Sequence, residues 1–210
     1  MDDPDLDAAY ALKTPDDNRA LYANWADSYD SSFADEADYR LPQIVAFVLA
    51  DVMRGSGPVL DVGAGTGLVA QNIPDRDALE IDALDISPEM LAQSAKKGLY
   101  RAYIEADLTK PVDIPDEIYG AVVSAGTFTH GHVGPEAIDT LLRIAKPGAV
   151  FVLSINSEHF SAHGFEAKFA AIESEIAQLD FRILDIYGPS GPPEHQNDKA
   201  HIAVFRKRPV

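Results

Sequence analysis

The chain of 210 residues has the size of a single domain with room for a substantial core. Its 34 acidic against 17 basic residues leave a formal charge of −17, a field that repels phosphate backbones and anionic headgroups and argues against a nucleic-acid partner. The absence of cysteine excludes disulfides, thiolate metal sites and cysteine nucleophiles. No run of about 20 apolar residues offers a membrane span, and the acidic start, Met1 to Asp7, lacks the features of a secretory signal, so a cytoplasmic location is expected.

Taken in chain order, Asp16–Tyr29 reads as a helix carrying Leu21, Tyr22, Trp25 and Tyr29. No element is read between it and Pro58–Val62, a buried strand that runs into a turn with glycines at 63, 65 and 67. Leu68–Ile73 has helical character, and Ile81–Asp85 is a second strand. Ser87, Pro88 and Glu89 then supply an N-cap, an N1 proline and an acidic first turn for a helix to Lys97. Tyr103–Ala106 and Ala121–Ser124 are the third and fourth strands. Pro135–Ala145 has Ile138, Leu141, Leu142 and Ala145 at helical spacing and is stopped by Lys146-Pro147-Gly148. Ala149–Ile155 is a strongly apolar fifth strand, and Phe165–Leu179 carries Phe165, Phe169, Ile172, Ile176 and Leu179 at the period of an amphipathic helix. Phe181–Tyr187 and Ile202–Arg206 are late strands joined by the Pro/Gly loop 188–193, an ending that suggests an antiparallel pair. Alternating strands and helices predict an α/β fold, a mostly parallel sheet covered on both faces. The expected organisation is one domain over 1–210, a helical cap over 1–40 ahead of a core over 41–210.

The chemistry concentrates in Val59-Leu60-Asp61-Val62-Gly63-Ala64-Gly65-Thr66-Gly67. A strand ending against small residues lets a ligand approach the backbone and meet the next helix's N-terminus. A dinucleotide fingerprint wants G-x-G-x-x-G, yet here the third glycine arrives one residue early and Leu68 fills the expected place, which argues against NAD and FAD. With the preceding Asp61, the segment resembles motif I of the class I S-adenosylmethionine-dependent methyltransferases. The chain is also similar to the methyltransferase-like proteins typified by the Williams–Beuren-region methyltransferase.

That resemblance implies a Rossmann-like, doubly wound, seven-stranded sheet with its last strand antiparallel, and S-adenosyl-L-methionine as cofactor. It implies that Gly63, Ala64 and Gly65 approach the cofactor, that Asp61 reaches its amino group through the turn, and that Asp85, 24 residues after Asp61, binds the ribose hydroxyls. A carboxylate suits two hydroxyl donors because it only accepts. Asp107 would stand near the adenine amino group, with Ile86 and Leu108 against the purine. Tyr22, Trp25 and Tyr29 would lie over the cofactor, where aromatic rings suit a sulfonium, and Thr127 near its donor end. On the acceptor side stand Phe128, His132, Asn156 and His159, and His130 is the first candidate for a base. An acidic chain without an Asn/Asp-Pro-Pro-Tyr motif points to a small-molecule acceptor, its reacting atom open, methylated by in-line displacement that alignment alone can drive. A protein or RNA methyltransferase and a cofactor-binding module without transfer activity are the competing readings. No metal site is expected, since His159 and His163 lack a third ligand.

Overall fold

The computed structural model describes residues 6–10, 12, 14–54, 57–129 and 132–209. Ahead of the sheet lie α1 (Leu6–Tyr10), α2 (Pro15–Trp25), a π-helical turn (Tyr29–Asp35) and α3 (Leu41–Val52). The core then runs β1 (Val59–Val62), α4 (Leu68–Asn72), β2 (Ile81–Asp85), α5 (Pro88–Lys97), β3 (Ala102–Glu105), β4 (Tyr119–Phe128), α6 (Ala137–Ile144), β5 (Ala145–Asn156), α7 (Ser157–Ala162), α8 (Phe165–Ala171), β6 (Ile176–Asp185) and β7 (Lys199–Lys207). The seven strands form one sheet in the order β3-β2-β1-β4-β5-β7-β6. The first five of these are parallel, and β7 inserts antiparallel to both β5 and β6.

All four residues of β1 are buried because the sheet is covered on both faces. Val59 packs with Val45, Leu49, Val69 and Ile81 on one side, while Leu60 and Val62 pack with Leu84, Val122, Ile138 and Leu141 on the other. Strand order reverses between β1 and β4, the position at which open α/β sheets bind ligands.

The sequence signals set several boundaries directly. Ser87 caps α5 by accepting from Met90 N at 3.2 Å, Pro88 opens the helix, and left-handed Gly98 closes it. Other expectations are corrected. Helix α3 gives no periodic signal in the sequence: it is apolar on more than one face, from Ile44 to Leu49, and shows no clean stripe. Tyr29 is not on α2, which ends at Trp25; it opens the π-helical turn. Helix α6 ends at Ile144 rather than at Ala145, because Ala145 already pairs with Tyr119 in the sheet. The predicted Phe165–Leu179 helix is α8 only to Ala171. Phe165, Phe169, Ile172 and Ile176 do share one core, but Ile176 enters it from β6, paired with Lys207, and Leu179 lies at the surface.

Candidate functional site

A single cleft lies over the carboxyl ends of β1, β2 and β4, and the N-terminal elements cover it. Beyond Val62 the chain passes through Gly63 (φ +64°), Ala64 and Gly65 (φ +53°), backbone angles that glycine adopts without cost. Leu84 O holds the turn from behind, accepting from Gly63 N at 2.7 Å and Ala64 N at 3.1 Å. The two glycines serve different ends. A Cβ at Gly63 would lie 1.9 Å from Thr127 Oγ1, so packing against β4 forbids it, whereas at Gly65 it would meet only Met90 Cε at 3.6 Å. Gly65 therefore keeps bare backbone at the cleft wall.

Asp85 ends β2 beside this turn. Its Oδ2 accepts from Gly65 N and its Oδ1 from Ser87 N, both at 2.8 Å. A carboxylate has about four acceptor positions, so Asp85 is oriented by backbone donors and retains capacity at the cleft that it lines. Burial pushes its pKa up and the N–H bonds from Ser87 and Gly65 pull it back, leaving it above the ordinary value. Asp107 also lines the cleft. Burial works to raise its pKa, but bonds from Thr109 and Lys110 outweigh that and hold it below the usual range. Ile86 and Leu108 flank these two carboxylates on the same wall.

The cap supplies the opposite wall. Tyr22 and Tyr29 line the cleft with ring centroids 6.0 Å apart, and His132 lies 5.6 Å from Tyr22. The π-helical turn is clasped to the glycine turn through Asp30, which accepts from Thr66 Oγ1 and from Lys97 Nζ, each at 2.5 Å. Thr127, Phe128 and Asn156 complete the floor. Asn156 Oδ1 caps α7 through the N–H groups of Glu158 and His159, which leaves its amide NH₂ as the group it can offer the cleft.

Most of the residues singled out in the sequence thus converge: Gly63, Ala64, Gly65, Asp85, Ile86, Asp107, Leu108, Tyr22, Tyr29, Thr127, Phe128, His132 and Asn156 share one cleft. Others do not line it. Trp25 stands behind the tyrosines, 1% exposed, its Nε1–H donating to Ser32 Oγ and its ring edge-on to Tyr29 at 5.4 Å. Asp61 lies beneath the turn, fully buried, accepting from Tyr100 OH at 2.7 Å. His159 is buried against Val133 O and the His163 ring. His130 lies outside the described residues. Tyr10, Asn18, Tyr39, Ser154 and Tyr187 also line the cleft, from distant segments and without a local motif that marks them in the sequence.

Residues 60–153 match the family described as a methyltransferase domain. Methyltransferase-like protein 27 of Homo sapiens is 31% identical over 157 residues, 73% of this chain and 63% of that protein, so the chain spans less than two thirds of that relative's length. Among solved structures, the [4+2]-cyclase SpnF superposes with a TM-score of 0.70 at 16% identity, covering 95% of this chain and 97% of the other. A chain of the "Complex between the Haloferax volcanii Trm112 methyltransferase activator and the putative methyltransferase" gives 0.62 at 18% identity over 91% of this chain and 97% of its own.

Proposed function

The chain carries a methyltransferase domain of the class I S-adenosylmethionine-dependent superfamily, and from that premise we propose that it transfers a methyl group from S-adenosyl-L-methionine to a small-molecule acceptor. The observation that carries this reading is the pairing of a buried, backbone-anchored Asp85 with the bare left-handed turn at Gly65, both open to one cleft at the switch point of the sheet. That pairing fits a ribose, whose hydroxyls need an acceptor, beside a chain that must approach backbone closely.

In this reading Asp85 takes the ribose hydroxyls, Gly63 to Gly65 present backbone to the amino-acid end, and Ile86 and Leu108 sandwich the purine with Asp107 at its amino group. When bound, the cofactor supplies an electrophilic methyl on a sulfonium whose leaving group is a neutral thioether. The contribution of the chain is position and dryness: Tyr22, Tyr29 and Thr127 close on the donor end, and Trp25 fixes the tyrosines from behind. Phe128 and Asn156 face the acceptor, and His132 is the described histidine within reach of a proton released into the cleft. Alignment of the acceptor supplies much of the rate in such a displacement. We place the activity in the cytoplasm, in keeping with a chain in which no described helix is long and apolar enough to cross a membrane.

Calorimetric titration of S-adenosylmethionine and S-adenosylhomocysteine into wild type and Asp85→Asn tests the assignment. Micromolar binding by wild type and a loss of about a hundredfold in the variant are expected, the worth of one or two hydrogen bonds to a charged acceptor. A thermal melt of the variant separates lost binding from lost folding. Absence of binding by well-folded wild type overturns the reading.

A further inference from the structure

The lining of the cleft extends past the residues assigned to the cofactor, and the cleft is open at its mouth. Part of its remaining wall is a continuous run of aromatic rings. Tyr29 packs on Phe33 at 5.0 Å between centroids, Phe33 on Tyr39 at 5.2 Å, and Tyr39 on Tyr187 at 6.0 Å. Tyr10 joins this wall, its hydroxyl 3.5 Å from that of Tyr187. Among the described lining residues there is no lysine or arginine, and the carboxylates present are Asp85 and Asp107.

Resting on the methyltransferase reading above, we propose that the acceptor is an organic amine on an apolar, ring-sized skeleton, drawn in by the cleft's carboxylates and methylated as its free base, and that carboxylates, phosphates and phenols are rejected. An anion entering this cleft finds carboxylates and no cationic side chain among the described lining residues, so the protein does not compensate its desolvation. Phenols fail for a related reason, which the cleft's own tyrosines report. Burial holds Tyr29 and Tyr39 well above the usual phenol range, and at Tyr22 the Asp85 charge adds to burial. An acceptor hydroxyl that must ionise meets the same cost. Burial acts on an amine in the opposite direction, favouring the neutral nitrogen that carries the nucleophilic lone pair.

The step conserves charge. The nitrogen lone pair forms the N–C bond as the C–S bond breaks, and that bond's electron pair leaves on sulfur as a neutral thioether. The positive charge moves from sulfur to nitrogen, and the surplus proton on nitrogen passes by way of His132 to water at the open mouth. No anion is formed in the cleft at any stage.

The test uses protein saturated with S-adenosylhomocysteine and three ring-matched probes, benzylamine, benzoate and phenol, titrated calorimetrically. Benzylamine should bind at least about tenfold more tightly than benzoate, the least that one uncompensated charge costs in a partly closed site. Thr129→Lys, which sets an ammonium at the cleft, should reverse that order and leave S-adenosylhomocysteine binding intact. Benzoate binding as tightly as benzylamine, methylation of phenol in preference to benzylamine once S-adenosylmethionine is supplied, or no benzylamine binding by protein that does bind S-adenosylhomocysteine, overturns the amine assignment while the cofactor reading stands. Failure to bind S-adenosylhomocysteine overturns that reading and this one with it.

Discussion

A carboxylic acid shut away from water holds its proton longer, and Asp61 is such a group: burial pushes its pKa up to about 7, with the Asp85 charge adding to the rise against the bond from Tyr100. The folded-state value lies above the unfolded value of about 3.9. The folded chain therefore binds more protons across that interval, and the stability from protonated Asp61 is present below about pH 4 and lost as pH climbs to about 7. Asp61→Asn keeps an acceptor for Tyr100 without the titration. The variant should match wild type near pH 5 and exceed it by roughly 2 kcal/mol near pH 8, in melts or urea titrations at both pH values. A wild-type minus variant difference constant across that range would show that Asp61 does not titrate there. At this scale the strand-end residues of the candidate site were legible and its aromatic wall was not. Gly63, Gly65, Asp85 and Asp107 sit at strand ends, where a short stretch of chain fixes both position and chemistry. Tyr10, Tyr39 and Tyr187 reach the same cleft only through the tertiary fold, Tyr39 and Tyr187 by an isolated bridge between segments nearly 150 positions apart. Tyr22 and Trp25 show the limit from the other side: both were read as contacts, and one turn of helix puts the first in the cleft and the second behind it.

Among the elements, the π-helical turn Tyr29–Asp35 is joined to the core by few polar contacts, and Asp30 makes two of them, to buried Thr66 and to Lys97. Because Thr66 belongs to the glycine turn, the clasp couples the order of the cap to the geometry of the candidate cofactor site. Asp30→Ala should raise amide exchange across 29–35 and weaken S-adenosylhomocysteine binding several-fold, at a cost in global stability of only about 1 kcal/mol, since one face of the bond is wet. Unchanged exchange in that segment would mean that the Trp25, Tyr29 and Phe33 packing holds the turn unaided. The elements read best from sequence were those with punctuation at both ends, as with Ser87 and Gly98 around α5. Where punctuation was missing, hydrophobic spacing alone misled: Phe165, Phe169, Ile172 and Ile176 keep a helical period across the junction of α8 and β6 because both elements feed one core. Helix α3 failed in the opposite sense, its apolar residues too many to leave a polar face.

Over the whole molecule the dominant long-range force is self-repulsion. With 34 acidic and 17 basic side chains, complete pairing would still leave 34 − 17 = 17 carboxylates without a partner. Several of the ion pairs that do form are solvent-exposed, such as Arg19–Glu105 and Lys199–Asp185, and pairs of that kind contribute little. Repulsion among unpaired surface charges acts over the Debye length, which shrinks from about 30 Å in 0.01 M salt to about 8 Å at 0.15 M. Compaction gathers those charges closer than the unfolded chain does, so screening relieves the folded state more. The melting temperature should therefore rise by a few degrees between these two sodium chloride concentrations, before any salting-out effect enters. The same unpaired charge predicts that the protein passes through immobilised RNA at low salt, where a basic surface would be retained most strongly. A melting temperature that falls on adding salt would show that the paired charges outweigh the unpaired ones, and retention on RNA would reveal a local basic face that the net charge conceals. Either result would reopen the choice of a small-molecule acceptor, which at this scale rests on the sign of the field that a polyanionic substrate must cross to reach the cleft.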